Sequence, residues 1–281
     1  MVKNACENSE FAMTDEDRRR FAEEGYLIRK GAFRARECES MIEASESLVQ
    51  YLMQVVITER VPVESVDCST SDVLDTTLKW EREYPAAVSG IETFAHLSEP
   101  LRNWASDIRL TGPCREACGS TDVVLFCEKL NLKRARVGGP VGPHRDGPHW
   151  APLAPHVARI VTAMLYLDDS TVKNGCLEVF PGSHRYNHSH IITHPCISGR
   201  ASECEGRSDL LEGPAGTVIW FGSNLLHRSG ANQSDKDRRA LLFSYQPAGH
   251  AHQRLLLRDA KDRFRRNTEF LRAARARRVK A

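Results

Sequence analysis

Three residues in this chain have the types and spacing to hold a redox metal. They are His144 and Asp146 in Gly142-Pro143-His144-Arg145-Asp146-Gly147, and His227 in Leu225-Leu226-His227-Arg228-Ser229-Gly230. Two imidazoles and one carboxylate on one side of an octahedral ion leave three positions open, which suits Fe(II) taking a chelating oxo-acid and O₂. In an extended segment residues i and i+2 point the same way, so His144 and Asp146 can share one ion. His227 lies 83 residues further on and must arrive on another strand, one that closes the sheet. The H-x-D pair alone is weak, because a chain with eleven histidines can contain one by chance. The surroundings of His227 add weight.

Ser229 shares a strand face with His227, and Arg238 follows across the polar stretch Asn232-Gln233-Ser234-Asp235-Lys236-Asp237, which reads as a hairpin turn. A guanidinium there is able to grip one end of a dicarboxylate through two parallel hydrogen bonds while the other end sits on the metal. The plainer alternative makes Arg238 and Arg239 turn-flanking surface charges. His184, His188, His190 and His194 resemble a second metal cluster only on paper: His184 belongs to a Pro-Gly-Ser-His turn and the rest to a polar loop.

The elements that must position these groups can be read from periodicity. Thr14, with Asp17 three residues on, caps a helix that Gly25 stops, and residues 26–30 form a short strand. Residues 35–57 form a long helix with a stripe of Met41, Ile42, Leu48, Leu52 and Val55. The polar stretch 59–77 reads as a loop and residues 91–108 as helical. From about residue 123 short apolar runs alternate with Gly and Pro, at 123–132, 160–167, 176–180, 217–221 and 240–245. Such strands predict a sandwich or barrel of the jelly-roll kind, with the N-terminal helices packed on one face. The chain reads as one α+β domain, mainly β, over residues 1–281: a helical N-terminal support at about 14–110, a core at about 121–250 and a basic helical tail at about 252–281.

Composition is that of an ordinary globular protein, with 41% hydrophobic and 27% charged residues. The net charge of +2 hides an asymmetry: residues 251–281 hold eleven Lys/Arg and three Asp/Glu, so the tail carries +8 and the rest −6. A solvated Arg-rich helix face accounts for this; nucleic acid is the disfavoured partner, and a binding module that kept only the fold is a second rival. Nine cysteines, no apolar leader and no run of about 18 apolar residues predict a cytoplasmic protein with free thiols and no membrane segment. A homodimer is left open.

Three segments resemble the phytanoyl-CoA dioxygenase family: Phe21-Ala22-Glu23-Glu24-Gly25-Tyr26-Leu27-Ile28, Lys129-Leu130-Asn131-Leu132-Lys133, and Asn174-Gly175-Cys176-Leu177-Glu178-Val179-Phe180-Pro181-Gly182-Ser183-His184. The resemblance implies a double-stranded β-helix (jelly-roll) core with a C-terminal helix, and an Fe(II)- and 2-oxoglutarate-dependent dioxygenase using O₂. Such an enzyme oxidises an unactivated C–H bond of a small molecule by hydroxylation, desaturation or cyclisation. By the same resemblance His144, Asp146 and His227 are the iron ligands, and Arg238 and Ser229 hold the distal carboxylate of 2-oxoglutarate. Asn131 and Thr162 match co-substrate positions, and Trp150 matches a substrate-pocket tryptophan that could equally be an ordinary buried aromatic. His149 beside it is a candidate substrate contact. The substrate expectation is an amino-acid-like molecule or a natural-product intermediate of secondary metabolism. The chain departs from the family pattern at Arg145, where many members have Gln, and at Pro143, where they have an aromatic residue.

Overall fold

The computed structural model describes residues 11–65, 69–185 and 207–258. Helix α1 (Asp15–Glu24) is capped as its sequence predicts: the Thr14 hydroxyl accepts from the Asp17 amide and the Asp17 carboxylate accepts from the Thr14 amide. It stops at Gly25, whose φ of 86° is left-handed and whose missing Cβ leaves room for the His184 ring. Helix α2 (Ala35–Glu59) buries a stripe that includes Met41, Leu48 and Leu52.

Two expectations for the N-terminal part are overturned. The stretch 59–77 is not a single loop: it contains β2 (Glu64–Ser65), β3 (Ser69–Val73) and the start of β4 (Thr76–Trp80). Residues 91–108 are not one helix either, since Ile91 lies in β5 (Val88–Glu92), followed by α3 (Glu99–Trp104) and α4 (Ile108–Ala117). The polar residues of β3 and β4 carry no apolar alternation, so pairing, of β3 with β4 and of β4 with β5, rather than local pattern makes them strands.

The remaining strands are β1 (Tyr26–Arg29), β6 (Val123–Lys133), β7 (Val141–His144), β8 (Val161–Tyr166), β9 (Leu177–Val179), β10 (Asp209–Leu211), β11 (Val218–Gly222), β12 (His227–Ser229) and β13 (Arg238–Pro247). They form a nine-stranded sheet, β1-β11-β8-β13-β6-β5-β4-β3-β2, facing a four-stranded sheet, β10-β9-β12-β7, which is the double-stranded β-helix. Strand alternation divides the large sheet. Leu78, Ile91, Leu130, Leu132, Val161, Ala163, Leu165, Leu241 and Phe243 pack with α2 and α4 in the main core. Met164, Tyr166, Ile219, Phe221, Ala240 and Leu242 turn inward and meet Leu177, Val179 and Leu211 of the small sheet.

The segment between His227 and Arg238 is not a hairpin. β12 pairs with β7 and β9, whereas β13 pairs with β6 and β8, so the connection crosses from one sheet to the other. Asn232 holds that crossing, its side-chain amide donating to the carbonyls of Lys133 and Lys236. The tail is helical over residues 253–258; the rest of the basic segment lies outside the described residues, as do His188, His190 and His194. Among the described residues no helix is long and apolar enough to cross a membrane.

Candidate metal centre

His144 ends β7 and His227 begins β12, directly opposite each other in register. Their ring centroids are 4.2 Å apart, and Phe221 closes over His227 at 5.0 Å. Asp146 does not continue the extended strand: it is helical (φ −71°, ψ −35°) and caps α5 (Gly147–Trp150). The turn, rather than strand alternation, brings its carboxylate to 3.8 Å from His144 Nε2. Ligand atoms of the three side chains lie within 4.8 Å of one another, and this is the one such group of three among the described residues.

The two imidazoles are oriented alike. Nδ1 of His144 lies 2.9 Å from the Gly142 carbonyl and Nδ1 of His227 2.9 Å from the Leu225 carbonyl. A carbonyl only accepts, so Nδ1 carries the proton in both rings and Nε2 keeps its lone pair for a metal. Burial, with help from the His227 neighbour, pushes His144 down to about 3, so its ring is neutral at pH 7. Asp146 is pushed up by burial but held below the usual carboxylate range by Lys129 and the two histidines. A neutral imidazole at His144 and an ionised carboxylate at Asp146 are protonation states that metal binding requires.

Segments of the signature run hold this arrangement. Ser183 Oγ accepts from the Leu226 amide, one residue before His227. Arg145, buried between the two ligands, donates to the carbonyls of Ser183 and Asn224 and so ties both ligand-bearing segments together.

Arg238 is an interior residue, 1% exposed, and not a surface charge. Its Nη2 donates to the Gly175 carbonyl at 2.7 Å, while Nε and Nη1 are buried without a partner. Gly175 makes that contact possible: it is left-handed, and a Cβ there would collide with the Gly230 carbonyl. Directly opposite Arg238 on β6 stands Lys133, 5% exposed, its ammonium on the Gly139 carbonyl. Burial and the Arg238 charge, partly offset by Glu81, bring Lys133 down to about 7. Like charges directly opposite in a sheet repel, and no carboxylate among the described residues forms an ion pair with either.

The other predicted positions fall around this axis. Asn131 is half-buried on β6 between Lys129 and Lys133, on their face. Thr162 is buried and its hydroxyl is 2.8 Å from that of Ser244 on β13. Ser229 sits half-buried on β12, opposite Leu177. Trp150 is 2% exposed and packs edge-on against Phe126 at 5.2 Å, with Lys129 Nζ 5.3 Å above its ring. His149 is half-buried on α5, its amide donating to the Asp146 carbonyl.

Lys133, Lys129 and Glu92 were not anticipated as site residues. The first two had a signal: Lys129, Asn131 and Lys133 recur at every second position of a strand whose other face is leucine. Glu92 had none, because its strand reads as helix.

A double-stranded β-helix with two histidines and an aspartate at one mouth defines the class of this protein by architecture and site. The chain matches the phytanoyl-CoA dioxygenase (PhyH) family model over residues 21–240 and belongs to that family. It is 34% identical over 137 residues to a probable alpha-ketoglutarate-dependent hypophosphite dioxygenase of Stutzerimonas stutzeri (45% of this chain, 46% of that protein). To a methylphosphonate hydroxylase of Gimesia maris it is 27% identical over 132 residues (47% and 48%). The chain thus aligns with about half the length of these two relatives. Among solved structures it is similar to EctD from S. alaskensis with 2-oxoglutarate and 5-hydroxyectoine, at a TM-score of 0.64 and 22% identity, covering 86% of this chain and 79% of that one.

Proposed function

We propose that this chain is a non-haem Fe(II)- and 2-oxoglutarate-dependent oxygenase acting on a small polar molecule of about amino-acid size. His144, Asp146 and His227 are the metal ligands in this reading. The observation that carries it is the pair Arg238 and Lys133: two buried cations in direct opposition, with two guanidinium nitrogens left without partners. Burying an uncompensated charge costs several kcal/mol, so a fold keeps such a pair where a ligand brings the missing negative charge. A dicarboxylic oxo-acid, with one end on the metal and the other on this pair, meets that requirement, and the donor set suits Fe(II).

When bound, iron and 2-oxoglutarate supply the oxidising power, one atom of O₂ leaving in succinate and the other going to substrate. The chain's own residues do the rest. The two Nδ1–H···O=C bonds fix the imidazole orientation, Arg145 holds the ligand-bearing segments together, and Ser229 with Arg238 and Lys133 receives the distal carboxylate. Asn131 and Thr162 line the same interior face, and Trp150 and His149 wall the substrate side. The test is an anaerobic titration of 2-oxoglutarate into Fe(II)-loaded protein, read by visible charge-transfer absorption, followed by oxygen and a succinate assay. A saturable band and succinate release are expected; absence of both overturns the reading.

A further inference from the structure

The inward face of β6 carries three polar side chains in alternation, Lys129, Asn131 and Lys133. Positions i and i+4 of a strand are roughly 13 Å apart, so the face has two cationic ends. The Lys133 end meets Arg238. The Lys129 end stands beside the metal ligands: its Nζ is 3.9 Å from Asp146 Oδ1 and 3.5 Å from Glu92 Oε1, above the Trp150 ring. Glu92 is directly opposite Lys129 on β5, and Lys79 on β4 reaches its other oxygen at 2.8 Å. Two ammonium groups therefore share one carboxylate, and the remaining counter-charge of Lys129 is Asp146, whose charge a bound metal draws away. Lys129 and Lys79 are 20% and 38% exposed in their side chains, so a solute can reach them.

Resting on the oxygenase reading, we propose that Lys129, backed by Lys79 across Glu92, seats the negative group of the substrate, which is a small oxyanion oxidised within a few bonds of its carboxylate, phosphonate or phosphinate. The charges count to this. Lys79 and Lys129 against Glu92 leave one positive charge once Asp146 serves the metal. The distance sets the size, because an oxyanion hydrogen-bonded to Lys129 at about 2.8 Å already lies next to a metal ligand. Trp150 covers one side of the ammonium, its ring 5.3 Å from Nζ.

The experiment titrates Fe(II)- and 2-oxoglutarate-loaded protein, without oxygen, with methylphosphonate, hypophosphite and L-proline. Dimethyl methylphosphonate and L-prolinamide serve as partners lacking the anion, and chloride at equal ionic strength as control. Binding is read by the shift of the visible band and by calorimetry. At least one anion saturates the protein while its neutralised partner does not. Lys129→Met weakens that binding at least about tenfold, Lys79→Met weakens it less, and Glu92→Gln, which removes the shared counter-charge, tightens it. Equal binding of the neutralised partners, no anion binding to protein that does take iron and 2-oxoglutarate, or unchanged affinity in both lysine variants overturns this inference alone. Failure of iron and 2-oxoglutarate themselves to bind brings down the oxygenase reading and this one with it.

Discussion

The two ends of β6 carry cations in opposite electrostatic circumstances. Lys129 faces Glu92 and Asp146 and is held charged despite its surroundings; Glu92, pushed up by burial, is brought down to about 2 by the two lysines. Lys133, four residues along the same face, confronts Arg238 and drops to about 7. A cation already balanced by the protein is a stable fixture that can share its charge with a visitor. A cation opposed by another is a vacancy for negative charge, and its protonation follows what occupies it.

Asp146→Ala should produce the largest effect, loss of Fe(II) binding and of succinate release, as measured by metal analysis and turnover; full activity would remove Asp146 from the metal. Next, Arg238→Ala should raise the 2-oxoglutarate concentration needed for half-saturation by about 10–100-fold, the equivalent of losing a charge-assisted pair of about 1.5–3 kcal/mol. Unchanged affinity would shift the role to Arg239, whose guanidinium instead pairs with Asp168 and Glu46. The contrast itself is broken or sharpened by thermal unfolding of the protein without metal or co-substrate. Lys129→Met should lower the midpoint, by about 1–3 kcal/mol of stability, since Glu92 loses a partner. Lys133→Met should raise it slightly by relieving repulsion, and a fall in both variants would erase the distinction.

The smallest effect expected is on pH. Lys133 is depressed in the folded state, so its contribution to stability is present above about pH 10.5 and lost as pH falls toward 7. A carboxylate placed beside it reverses that preference, so 2-oxoglutarate should bind progressively more weakly as pH rises from 7 to 9, seen by calorimetry as proton uptake on binding. His144, depressed to about 3, contributes stability above its unfolded value near 6.5 that is lost as pH falls toward 3, which acid titration of the metal-free protein would show.

Much of the core was legible because its strands are short apolar runs bounded by Gly and Pro: those at 123–132, 160–167, 217–221 and 240–245 correspond to β6, β8, β11 and β13. The N-terminal extension of the sheet was not, since β3 and β4 read Ser-Thr-Ser-Asp-Val and Thr-Thr-Leu-Lys-Trp and acquire strand character from their neighbours. The polar stretch before Arg238 read as a hairpin turn but is a crossing between sheets, because turn chemistry encodes a bend and says nothing of which sheet receives the following strand.

The residue types of the site, two imidazoles, a carboxylate and an arginine after a turn, are properties of the chain itself, set by chemistry that tolerates few substitutes. Which side chains meet was decided only by the folded arrangement. His227 finds His144 by cross-strand register, Asp146 arrives by a helical turn, and Glu92 reaches Lys129 from a strand with no strand-like pattern of its own. Contacts of that kind depend on which strands pair, and pairing is a long-range outcome of burying one face of each sheet, which no local stretch of residues records.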